Sequence, residues 1–441
     1  MKMYYNKFSA RGPRLTAGAL SLGLSRELWL VEAGIFLNSL GYGAVLPFEV
    51  IYLHNGRGFS LGMAGLVVGT IMGVAVAAAP ATGPLIDRFG PRTVSVAAGA
   101  ALAIGYAGLA FAHSPPTAFA AAILAGAGNG ALNPSQSTLL ATLAPPDRRH
   151  RATAVSRVAG NAGMGIGGAL GGLIAVRGLP GFVLLFLANA VSYLVYVGVL
   201  AAVVRDRGRP AAVTGGYRQV LRDRAFLHLA ATNVAMIAVG WGVFTWVVPP
   251  YARNALGIGA PLLGLLLLAN AATVVVAQVP IARIAEGRRR VVLIAVAAVL
   301  FAAACLLVLT ARRGAGSAYP ELIAADIAVG LGECFHTTAL MPLVADLAPV
   351  SLRGRYMAWI GFSWWIGLAL GPTLGTQLLG AGPGLTFVAA ASVAAAAGVS
   401  ALRLEGRLPA SARVTPRPGP QSARAELAPA EVGMAGGRDR D

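Results

Sequence analysis

Long apolar runs, broken at short intervals by Gly, Pro and Arg, recur along nearly the whole chain. Each run is roughly 20 residues or more, the length that a helix needs to cross a bilayer. Such continuity predicts helices rather than barrel strands, because backbone facing lipid must satisfy its own hydrogen bonds. The runs place spans at 28–53, 61–82, 93–112, 116–144, 151–176 and 180–204, then at 225–251, 260–284, 290–311, 318–348, 356–380 and 382–403. The expected fold is an all-α membrane protein of two six-helix bundles, 26–204 and 225–403, joined by a linker at 205–224. Residues 1–25 read as a tail rather than a cleaved signal, since no continuous apolar segment precedes Arg26. Residues 404–441 are Ala, Pro, Arg and Gly with little apolar periodicity, and read as a disordered tail.

Composition agrees: 56% of residues are hydrophobic and only 12% charged, against about 25% charged in soluble domains. The net charge of +18 raises a nucleic-acid partner, but its distribution argues against one. The arginines sit in short loops, with no basic face for a phosphate backbone. Alternate loops carry Arg88 and Arg92; Arg148, Arg149 and Arg151; the six arginines of 205–224; Arg283 and Arg288 to Arg290; Arg353 and Arg355. The other loops carry only Arg57, Arg177, Arg253 and Arg312/Arg313. By the positive-inside rule both termini are cytoplasmic, and a multi-pass monomer in the plasma membrane is expected. Cys305 and Cys334 lie in apolar runs and give neither a disulfide framework nor zinc-type spacing.

The two halves resemble each other. LAPPDRRHRA from Leu143 aligns with LAPVSLRGRY from Leu347, an offset of 204 residues. At that offset Gly163, Gly167, Leu170 and Gly171 fall on Gly367, Gly371, Leu374 and Gly375, and Arg149 and Arg151 on Arg353 and Arg355. Such a repeat implies bundles related by a pseudo-twofold axis along the membrane normal.

GPLIDRFGPR (83–92), after the second span, resembles the G-x-L-x-D-R-x-G-R loop of the major facilitator superfamily. GNAGMGIGGALGG (160–172) and LGYGAVLPFEVIYL in the first span resemble the drug:proton antiporter branch with twelve spans. The branch's usual Gly-Pro is here Gly167-Gly168, and a Gly-Pro stands instead at Gly371-Pro372. The resemblance implies that Asp87 latches the halves near the start of span 11, with Gly83, Arg88 and Gly90 in the same loop. The alternative for that loop is simple topogenic charge. Gly83-Pro84 and Gly90-Pro91 read as turns.

In span 5, Arg157, Asn161, Gly165, Gly168 and Gly172 share one stripe. Together with Gly163, Gly167 and Gly171 they form an expected helix-packing motif, because small residues admit close helix approach. Glu32 and Arg157 lie at similar depth and are expected to pair.

Span 10 supplies the most informative polar group. Asp326, Gly330, Glu333 and Thr337 share a face, with Glu333 midway along the span. Intramembrane acids usually face a cavity. Glu333 reads as a proton-coupling or cation-binding carboxylate, as a structural hydrogen-bonding group, or as a metal ligand with His336 or Cys334. The metal reading fails on geometry: Cys334 points about 100° away, and no second Cys/His cluster exists. His336 either shares the proton or is a packed, satisfied histidine. The repeat mate of Glu333 is Asn129, which begins its own stripe with Asn133 and Gln136. Span 1 adds Asn38, Tyr42 and Glu49 on one face, Glu49 being either functional or merely solvated at the outer surface. Trp241, Thr337 and Trp365 complete the candidate cavity, with Trp246 and Trp359 read as belt or packing residues.

The expected function is proton-coupled export of small amphipathic or drug-like compounds by alternating access, needing no cofactor beyond a proton gradient. A proton-coupled uptake symporter for a sugar or metabolite is the rival. A membrane-embedded enzyme or a receptor is a rival of another class, but neither a nucleophile–base set nor a GxxxxGK[ST] loop is present.

Overall fold

The computed structural model describes residues 24–145, 148–204, 219–311, 315–349 and 352–415. Most of the expected linker and the outer parts of both tails lie outside the described residues. Twelve long helices run through it. The first bundle holds α1 (Arg26–Gly56), α2 (Leu61–Phe89), α3 (Pro91–Ala110), α4 (Pro115–Leu143), α5 (Arg149–Ala175) and α6 (Leu179–Val203). The second holds α7 (Arg224–Asn254), α8 (Ala260–Ala285), α9 (Arg290–Thr310), α10 (Ala315–Leu347), α11 (Arg353–Ala381) and α12 (Pro383–Leu404). Eleven are long and apolar enough to cross a membrane by length and composition; α4, diluted by Asn129, Asn133, Ser135 and Gln136, is the twelfth.

Two helices depart from regular winding. In α1, Pro47 opens a tight turn at Leu46–Phe48, and a wide turn follows at Tyr52–Gly56. In α7 a wide turn occupies Ala238–Val243. Wide turns inside helices are uncommon and often mark working parts of a protein.

The 83–92 segment needs a correction. Gly83-Pro84 is not a turn: α2 continues through it to Phe89. The chain breaks only at Gly90, whose φ of +83° suits glycine, and Pro91 starts α3 where its missing N–H costs nothing.

Glycines set the packing inside each bundle. Gly163, Gly167 and Gly171 lie against the α1 backbone at Phe36, Leu40 and Ala44. At the 204-residue offset, Gly367 and Gly371 lie against the α7 backbone at Val234 and Gly242, and Gly375 against Val247. The bundles meet along α5 with α8 and along α2 with α11.

Residues 405–415, assigned to the disordered tail from sequence, are folded onto the second bundle. Thr415 N–H donates to Arg288 O (3.0 Å) and Gly287 N–H to Thr415 O (2.9 Å). Arg290, fully buried, pairs with Asp346 at 2.7 Å and donates to Ala412 O. Arg289 pairs with Glu405. Periodicity could not reveal a segment held mainly by main-chain bonds and buried arginine.

Candidate transport site between the bundles

The two bundles touch at one end and part at the other. At the arginine-poor end Gly62, Gly65 and Gly69 of α2 lie against Gln377, Thr376 and Thr373 of α11, and Gly168 and Gly172 of α5 against Gly264 and Pro261 of α8. Two side-chain hydrogen bonds between described residues cross there: Asn55 Nδ2 to Asn254 Oδ1 and Trp246 Nε1 to Glu49 Oε2, both 2.8 Å. Towards the arginine-rich end the same stripes face open space. Gly73 of α2 and Gly361 of α11 have no neighbour where a Cβ would point. Val275 and Val279 of α8 are 61% and 57% exposed. The result is a crevice closed at one end and open at the other.

Glu333 is half-buried and reaches α8, where its Oε1 accepts from Asn270 Nδ2 at 3.2 Å. Asp326 lies two turns away on the same helix face. Gln278 Nε2 donates to Thr338 Oγ1 at 3.0 Å further along the same α8–α10 seam. The Thr337 hydroxyl bonds back to the Glu333 carbonyl at 2.8 Å, so its polar group is already satisfied within the helix. Among the described residues no group of three or more His, Cys, Asp or Glu could hold a metal ion.

His336 does not hydrogen-bond to Glu333. It is fully buried, its Nε2 lies 2.8 Å from Asn233 Oδ1, and Asn233 Nδ2 donates to Ser363 Oγ at 2.8 Å. With Asn233 Oδ1 as acceptor, His336 carries its proton on Nε2, leaving Nδ1 without a partner. The chain links α10, α7 and α11. Trp241 packs near His336 (5.9 Å between ring centroids) and against Trp364 (4.7 Å), both tryptophans half-buried. Trp365 sits on the α11 stripe between Gly361 and Ala369, which turns it to the crevice.

In the first bundle, Asn161 is half-buried and Arg157 exposed on the α5 stripe that faces α8 lower down. The expected Glu32–Arg157 pair does not form. Both Glu32 oxygens lie 2.7 Å from the Ser156 hydroxyl. Ser156, one position earlier, points about 100° away from Arg157 and towards α1. Asn38 and Asn129 are buried with their Nδ2 atoms unpartnered, Gln136 is half-buried and Asn133 exposed. Tyr42 packs edge-on against Tyr106 at 6.3 Å.

Glu49 is not solvated at the surface. It is 1% exposed, with Oε1 accepting from Tyr106 OH at 3.1 Å and Oε2 from Trp246. Trp246, read as a belt residue, is likewise buried at 3%. Sequence reasoning passed over Asn233, Asn270 and Ser363. Their signal was a polar side chain inside an apolar run, but only the packing shows which helix each one meets. Asp87 is partly exposed and makes no ion pair among the described residues, and Arg88 lies over its neighbour Phe89. Both lie on the last turn of α2, at the parted end.

Comparison with known proteins agrees with this architecture. The chain is 28% identical over 371 residues to an uncharacterized MFS-type transporter, YttB, of Bacillus subtilis (strain 168), covering 81% of this chain and 89% of that one. It is 28% identical over 349 residues to the multidrug resistance protein MdtH of Klebsiella pneumoniae (strain 342), covering 76% and 81%. Among solved structures, a D-xylose-proton symporter superposes with a TM-score of 0.69 at 16% identity, over 86% of this chain and 98% of that one. The major facilitator superfamily family model matches residues 32–247 and 230–434. This chain, a multi-pass membrane protein of two six-helix bundles, belongs to the major facilitator superfamily, whose members are transporters and not enzymes.

Proposed function

We propose that the protein exports small amphipathic, cationic compounds in exchange for protons, by alternating access, from the plasma membrane with both termini cytoplasmic. The observation that carries this reading is Glu333, an acid halfway along α10 whose described partner is a neutral amide, in the bundle that borders the crevice. Bilayer-depth acids without a cation partner are suited to binding a proton or a cationic substrate in turn. The half-buried Trp241, Trp364 and Trp365 supply π-faces that attract an organic cation. The likeness to MdtH, a multidrug resistance protein, supports the export branch. His336, bound to Asn233, acts on this reading as a positioning residue rather than as the partner of Glu333 in proton exchange.

The test is purified protein in vesicles with an imposed proton gradient and a fluorescent lipophilic cation. Gradient-dependent movement that disappears in Glu333→Gln, with the variant still inserted and monodisperse, supports the reading. Full coupling in Glu333→Gln overturns it, and gradient-driven sugar uptake instead would establish the symporter.

A further inference from the structure

We propose that the Glu49–Trp246 hydrogen bond locks the arginine-poor end, and that Glu49 is a proton-linked group of this lock, separate from Glu333. The proposal rests on the alternating-access reading above.

The bond joins α1 of one bundle to α7 of the other, and Asn55–Asn254 crosses nearer the end of the same two helices. A path to the arginine-poor side requires α1 and α7 to part, so both bonds must break. Glu49 differs from the asparagines in its chemistry. Its carboxyl is dry and both oxygens meet neutral donors, Trp246 Nε1 and Tyr106 OH. Its titratable neighbours are tyrosines: Tyr42 on α1, Tyr106 on α3 and Tyr193 on α6, whose ring stacks on Tyr106 at 6.1 Å. The element facing it from the other bundle, α7, presents Trp246, which does not titrate. Among the described residues no cation pairs with it. At this end Arg57 bonds to Tyr52, Ala110 and His113, His54 to Phe59 O, and Arg253 to Ile258 O.

Parting the helices would remove one of the two donors and admit water to the carboxyl. A group whose hydration and partners differ between two conformations binds protons differently in each. The equilibrium between those conformations must then depend on proton activity.

The experiment uses the full chain in vesicles, carrying Asn55→Cys and Asn254→Cys, with a short bismaleimide as cross-linker. The two native cysteines are fully buried and contribute little background. Cross-link yield across a pH series reports how often this end is closed. The parent should show a pH-dependent yield. Glu49→Gln, which keeps an acceptor for Trp246, should flatten that dependence, whereas Glu333→Gln should preserve it. Trp246→Phe should shift the closed-to-open ratio roughly tenfold towards open, equivalent to about 1.4 kcal/mol.

An unchanged pH profile in Glu49→Gln overturns the proposal, since another group would then carry the dependence. A profile flattened by Glu333→Gln, or an unchanged yield in Trp246→Phe, overturns it as well. If Trp246→Phe does not accumulate, the Glu49→Gln profile decides alone. Transport that survives complete cross-linking would instead sink the alternating-access reading, whatever the pH profile.

Discussion

Gly168 of α5 and Gly264 of α8 meet backbone to backbone across the boundary between the bundles, so that a Cβ on Gly264 would overlap the Gly168 carbonyl. No side chain can enter there without moving a helix. Gly264→Val should therefore prevent closure of the arginine-poor end and abolish transport, while each bundle stays folded. Thiol labelling of Asn55→Cys in that background should rise several-fold. By contrast Gly371→Val, at the Gly242 contact within the second bundle, should lower stability by about 1–3 kcal/mol through overpacking. Thermal unfolding in detergent separates the two effects.

Asn233 joins His336 to Ser363. Asn233→Leu removes both bonds and leaves a buried imidazole nitrogen unpaired, which costs about 1–3 kcal/mol. A fall in Tm is expected, larger than for Ser363→Ala, which removes the bond from Asn233 and a bond to Ile360 O, a carbonyl of its own helix, but leaves His336 its partner. Equal losses would show that the three residues do not act as a chain.

Asp87 lies at the parted end with no ion-pair partner among the described residues. Its proposed latch can form only when that end closes. Asp87→Asn should thus leave the stability of the crevice-open form within about 0.5 kcal/mol of the parent, the range usual for surface changes. The same variant should slow transport. A large loss of stability would assign Asp87 a structural role in this conformation instead.

Arg290 is buried between Asp346 and Ala412 O. Arg290→Met should free residues 405–415 from the bundle, because Asp346 is 38% exposed and can be hydrated once its partner is gone. Limited proteolysis should then cut near Leu408, at a site protected in the parent.

The spans were legible because each apolar run exceeds the bilayer thickness, and the repeat because Gly163, Gly167 and Gly171 recur as Gly367, Gly371 and Gly375. Glycine that touches backbone cannot be replaced cheaply, so it leaves a periodic trace. The candidate site was legible only along single helices. Glu333, Trp241 and Trp365 could be singled out as unusual residues in apolar text, yet nothing in the text says that Asn270 reaches Glu333 or that Trp246 reaches Glu49. Those partners lie 63 and 197 positions away, on helices whose rotation is set by tertiary packing. The same limit explains Glu32: a one-residue change of position on α5 decides between Ser156 and Arg157.

Helix α5 presents glycine on two sides, Gly163, Gly167 and Gly171 to α1 and Gly165, Gly168 and Gly172 to α8. The first set keeps α5 seated in its own bundle, while the second offers the opposite bundle a smooth track with no knobs to unmesh. Friction between the bundles should therefore be low along this seam. The pace of the cycle would then be governed by breaking polar bonds and releasing cargo, not by unlocking interdigitated side chains.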